Sequence, residues 1–128
     1  MKVRCIKLFD SRFMEVDYSP WFQLGKIYQV MGMDLDIKNQ RFYYLLISNY
    51  DKPDRAKMVF DLMKGFEIVS DIIPSNWDLK IEASSQSISL IPLAWRREDF
   101  FERFHENDPE MFPIFERERD LIMNEDPL

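Results

Sequence analysis

Between Trp77 and Phe104 the apolar residues change period, and no single element can carry both periods. The stretch "WDLKIEA" alternates: Trp77, Leu79 and Ile81 fall on one face, and Asp78, Lys80 and Glu82 on the other. That is the pattern of a half-solvated strand. "SSQ" then turns the chain into "SISLIPL", so 77–91 reads as a hairpin with Ile88 and Leu90 facing inward, ended by Pro92. From Arg96 the spacing becomes helical. Phe100, Phe101 and Phe104 share one face, while Glu98, Asp99, Glu102, Arg103 and Glu106 take the other, an amphipathic helix over 96–106. A two-residue period followed by a 3.6-residue period, without β–α alternation, means strands first and helices after: the α+β class.

Upstream, "KVRCIKLF" alternates over 2–9 as a strand with both faces partly apolar, and 10–20 has no clean period and ends in Ser-Pro, a long loop bearing aromatics. "GKIYQVMGMDLD", the turn "IKNQ" and "RFYYLLIS" form a hairpin whose second strand, 41–48, is rich in aromatic and β-branched residues. After the polar loop "NYDKPDRA", "KMVFDLM" and "FEIVS" read as two short strands, or as one broken by a bulge at Lys64–Gly65. Downstream, "NDPE" breaks the helical pattern. Asn107 or Asp108 is placed to cap a second helix with Pro109 in its first turn, and Ile114, Phe115, Leu121 and Ile122 supply its inner stripe. Pro113 predicts an irregular start, and "NEDPL" a frayed tail.

The 128 residues are one domain by size, 1–128, and 46% apolar with 15% aromatic residues is a globular composition. The net charge of -6 is unevenly placed. Residues 1–70 carry 11 Lys/Arg against 9 Asp/Glu, whereas 71–128 carry 6 against 14, so the acid belongs to the C-terminal part. Phosphate backbones and anionic lipid repel such a surface, which makes nucleic acid and membrane poor partners and a basic protein a good one; the plainer alternative is that the acid serves solubility. The N-terminal apolar run is too short and too often interrupted by Lys and Arg for a signal peptide, and no run of about 18 apolar residues exists, so a cytoplasmic location is expected.

Site chemistry is sparse. One histidine, His105, and one cysteine, Cys5, exclude a zinc site of their own, and Cys5 in an alternating strand reads as a small core residue. A calcium loop starting at Asp34 fails at Asn39, where it needs glycine, and at Leu45, where it needs glutamate. Gly25, Gly32 and Gly65 are too far apart to cradle phosphate. Neither a metal nor a cofactor is expected. Glu102 lies one helical turn before His105, which leaves open a small enzyme using that histidine, although an imidazole closing an acidic helix is the simpler reading. What remains is surface for partners. The acidic helical face, Glu98, Asp99, Glu102, Glu106, Asp108, Glu110, Glu116 and Glu118, is nominated on charge and spacing. Trp21, Trp77 and Trp95 stand beside turns, and the residues alone leave open whether they are core or interface.

Two stretches resemble known families. "LGKIYQVMGMD" and "GFEIVS" resemble the opening and closing strands of small SH3-like barrels in short bacterial proteins, over about 2–70. "IPSNWDL" with "LIPLAWRREDFFERFHENDPEMFPIFERE" resembles the tail of small bacterial immunity proteins of polymorphic-toxin and contact-dependent growth-inhibition systems. The resemblance implies a non-enzymatic protein that binds one cognate toxin, often a basic nuclease, and neutralises it by occlusion. An SH3-like peptide adaptor using Trp21, Tyr43, Tyr44 and Tyr50 is the other reading. The expected fold is α+β: a small antiparallel, partly barrel-like sheet of about six strands over 2–91, then two C-terminal helices over 96–123.

Overall fold

A computed structural model describes residues 1–48 and 57–128. The polar loop 49–56, with Tyr50, lies outside the described residues. The order is β1 (Lys2–Cys5), β2 (Leu8–Phe9), β3 (Glu15–Val16), β4 (Ile27–Asp36), β5 (Arg41–Ser48), β6 (Lys57–Leu62), β7 (Phe66–Ser70), β8 (Trp77–Glu82), β9 (Ser87–Pro92), α1 (Phe100–His105) and α2 (Phe112–Glu125). The fold is α+β, an antiparallel sheet followed by C-terminal helices.

β4 is the spine. One of its edges pairs with β5 through a bulge between Val30 and Gly32. The other edge is shared, its first half with β1 (Tyr28 opposite Val3) and its second half with β9 (Leu35 opposite Ile88). β6 adds beyond β5, β7 beyond β1 and β8 beyond β9, giving a seven-stranded sheet, with β2 and β3 as a separate two-stranded ribbon. β6 and β7 are joined by one helical turn, Met63–Gly65, yet stand at opposite ends of the strand path. The path of the sheet thus brings its two end strands back to one another without pairing them, which agrees with the partly barrel-like expectation and stops short of a closed barrel.

Alternation divides the core in two. Val30 and Leu46 belong to one cluster with Val3, Cys5, Tyr28 and Phe66, while their neighbours Met31 and Leu45 belong to the other. In the first, Phe22 arrives from the loop and meets Tyr28 and Phe66 edge-on at 5.0 and 5.6 Å. The second lies under the helices, where Trp95, 0% exposed, stacks on Phe100 at 5.8 Å and on Phe115 at 5.7 Å. Rings of this size each remove enough apolar area from water to contribute roughly 1.5–3 kcal/mol.

Several boundaries differ from expectation for local reasons. The strand expected over 2–9 breaks at Ile6 and Lys7, whose amides both donate to the Gly65 carbonyl, and the 10–20 loop returns as β3 to pair with β2. Leu93–Arg96 is a 3-10 turn, so α1 starts at Phe100. Asn107 ends it: its φ of 61° is left-handed, its amide donates to Phe104 O, and the Asp108 amide reaches back to Arg103 O. This is the glycine-type helix stop carried out by asparagine. Residues 108–111 form a turn in which the Asp108 carboxylate accepts the Glu110 amide, so Pro109 precedes α2 and Pro113 occupies its first turn. In the β8–β9 hairpin the buried residues are Ile91 and Pro92; Ile88 and Leu90 are half-buried and share a face with exposed Leu79 and Ile81. The frayed tail is also corrected. Asp126 is buried against the N-terminal ammonium at 3.0 Å, Lys2 at 3.3 Å and the Ser70 hydroxyl at 2.6 Å.

Candidate functional site

The acidic face is two groups of residues with different work. Arg103, projecting from α1, gathers three of the nominated carboxylates: Nε meets Asp108 at 2.6 Å, Nη2 meets Glu110 at 2.7 Å and Nη1 meets Asp99 at 3.4 Å. The Glu110 amide, and after it Arg103, hold the Asp108 carboxyl below its ordinary range. Their charge is spent in tying the α1–α2 turn to the helix. Glu118 is likewise engaged, accepting from Asn76 Nδ2 at 2.8 Å. Glu98, Glu102, Glu106 and Glu116 are exposed and have no ion pair among the described residues. The first three follow one another at four-residue spacing along α1 and its flanks, a ridge of unneutralised charge.

His105 is exposed, and both ring nitrogens face backbone carbonyls, Nδ1 that of Phe101 at 2.7 Å and Nε2 that of Met58 at 3.0 Å. A carbonyl oxygen only accepts, so each contact needs an N–H; a neutral ring has one and the doubly protonated ring two. The side chain thus fastens the end of α1 to β6. In this arrangement neither nitrogen is turned toward a cleft.

The cleft that stands out lies elsewhere, along β6 where the sheet stays open. It measures about 420 Å³, and Phe13, Tyr18, Trp21, Tyr43, Phe60 and Asp61 are among its lining residues. Two of the adaptor aromatics, Trp21 and Tyr43, do meet here. Tyr44 does not contribute, being 4% exposed in the core. Of the tryptophans, Trp95 is core, Trp77 is half-buried beside both clusters, and Trp21 is 40% exposed on the cleft.

Charge and spacing do not nominate Asp61, yet the sequence holds a signal for it. It is the one acid in "KMVFDLM", a strand that is otherwise apolar after its first residue. It sits opposite Tyr44 in the register, half-buried, and among the described residues Oδ1 accepts only the amide of the next residue, Leu62, at 2.8 Å. Burial raises its carboxyl above the usual range, the Leu62 amide offsetting part of that rise. The same charge helps burial push the nearby Cys5 thiol up to about 11, which leaves Cys5 an inert core residue.

Arg96 is a structural clamp, holding Asp78 through Nε at 2.6 Å and Ser89 Oγ through Nη1 at 2.9 Å across β8 and β9. Among the described residues, no group of three or more His, Cys, Asp or Glu side chains is placed to hold a metal ion, and no helix is long and apolar enough to cross a membrane. Comparison with protein-family models, with curated proteins and with solved structures finds no significant match.

Proposed function

We propose that this is a binding protein for a basic protein partner and, in its most specific form, an immunity protein that neutralises a cognate bacterial toxin by covering a basic active-site cleft. The observation that carries the reading is the ridge of Glu98, Glu102 and Glu106, exposed and unpaired while neighbouring acids are neutralised by Arg103. Of the three, Glu102 lies in the first turn of α1, Glu98 in the turn before it and Glu106 at the C-cap, where its charge opposes the negative end of the dipole. A repulsive ridge held on a well-packed helix is stabilised when a basic surface covers it, and the same field steers that surface on approach.

The test is triple charge reversal, Glu98→Lys with Glu102→Lys and Glu106→Lys, against reversal of the remote, exposed Glu15. Affinity for a basic toxin domain encoded beside the gene is measured at low and physiological salt. The triple variant is expected to lose about tenfold or more at low salt, with a smaller loss as salt rises, and Glu15→Lys much less. Equal affinity of the triple variant and the unmodified protein at low salt overturns the reading.

A further inference from the structure

We propose that the cleft along β6 is a second recognition site, one that seats a lysine or arginine side chain presented by a protein partner, with Asp61 as its counter-ion and aromatic rings as its walls. This goes beyond the acidic ridge and stands on different observations.

The first is the state of Asp61. A carboxylate withdrawn from water needs an opposite charge or several donors, and among the described residues this one has a single backbone amide. Among the described residues no ammonium or guanidinium reaches it. No lysine or arginine is among the described residues that line the cleft; Arg41 lies 4.6 Å over the Phe13 ring, Lys64 lies 4.6 Å over the Phe9 ring, and Arg12 is 3.9 Å from Asp10. The second is the wall itself. Phe13, Tyr18 and Trp21, all from the segment before β4, are each at least 37% exposed, a concentration of aromatic side chains that a folding core does not require, whereas Phe60 turns to the other face of β6 against Phe101. Ring faces attract cations by about 0.5–2 kcal/mol each and accommodate the apolar stem of a lysine or the plane of a guanidinium. The third is geometry. A cleft of about 420 Å³ lined by two acids, Asp61 and Asp10, and by exposed rings matches a long side chain with a charged tip. A small free amine would leave most of those rings uncovered, which is why the occupant is assigned to a protein side chain.

The experiment is an amide and indole NMR titration of the full isotope-labelled chain. The probes are blocked Gly-Gly-Lys-Gly-Gly, its arginine and norleucine counterparts, and butylammonium. The lysine and arginine peptides are expected to give saturable shifts at the Trp21 indole and the Leu62 amide, with dissociation constants roughly millimolar. The norleucine peptide and butylammonium are expected to bind at least about fivefold more weakly. Asp61→Asn, which keeps the shape and removes the charge, abolishes the preference for lysine over norleucine. Tyr18→Ala, at a position 76% exposed, weakens both cationic peptides without touching the core. The proposal is overturned if the cationic peptides cause no shifts, if norleucine binds as well as lysine, or if either variant binds like the unmodified chain. Butylammonium binding as tightly as the peptides overturns the assignment to a protein side chain.

Discussion

Asp61 and Asp126 show how far two identical residues can part in one fold. Burial disfavours the charge of both, but at Asp126 the Ser70 hydroxyl, the N-terminal ammonium and Lys2 outweigh it and hold the carboxyl below its ordinary value. A carboxyl depressed in the folded state contributes stability above its unfolded value of about 3.8, and that contribution is lost as pH falls through the lower folded value. Asp126→Ala is therefore expected to cost roughly 3 kcal/mol or more at pH 7, because it strands a buried ammonium, and the deficit shrinks in strong acid. Urea denaturation of both proteins at pH 7 and pH 2.5 measures it; a deficit of the same size at both pH values sinks the assignment. At Asp61 the sign is opposite. Its raised carboxyl makes the ionised form a net cost to folding near neutral pH, the kind of local disadvantage that binding sites retain. Both environments were illegible in sequence, since Ser70 and Asp126 are 56 residues apart.

Elements end and meet where backbone geometry, more than side-chain pattern, dictates. The strand alternation over 77–82 and the helical spacing of Phe100 and Phe104 were readable because each periodicity belongs to one element and needs no partner. The helix ends were not readable in the same way. Asn107 and Asp108 suited a cap for α2 by residue type, yet Asn107 terminates α1, a choice made by its left-handed backbone and by Arg103 drawing Asp108 back. Gly32 records a second such decision. A Cβ there would stand 2.6 Å from Ile91 Cγ2 and 2.7 Å from the Leu90 carbonyl, so β4 and β9 approach through the space a side chain would fill. Gly32→Ala is expected to destabilise the protein by about 1–3 kcal/mol, read from chemical denaturation, with the largest hydrogen-exchange increase on β9. Unchanged protection at β9 contradicts this account of the glycine.

At the scale of the molecule, β4 contributes to both cores and to both halves of the sheet, which couples them mechanically. Trp95→Ala, the removal of the largest fully buried side chain, is expected to cost about 3–5 kcal/mol. Near-ultraviolet circular dichroism of the Phe22–Tyr28–Phe66 cluster and far-ultraviolet ellipticity should still fall in one transition. Two separated transitions would show that the faces fold independently. α1 and the cleft both adjoin β6: His105 Nε2 faces the Met58 carbonyl, and Phe60 touches Phe101 of α1 and is among the residues lining the cleft. Sequence alone determined the α+β class, the order of strands before helices, the two hairpin turns and the excess of acid in the C-terminal part, because these depend on periodicity and composition within short windows. Tertiary structure alone decided that the sheet stays open between β6 and β7, that Arg103 neutralises three acids while four others stay bare, and that Asp61 comes to lie among aromatic rings from the loop before β4. Those outcomes depend on which distant backbone segments pair and which charges then fall within reach, and no local pattern in the chain encodes such distances.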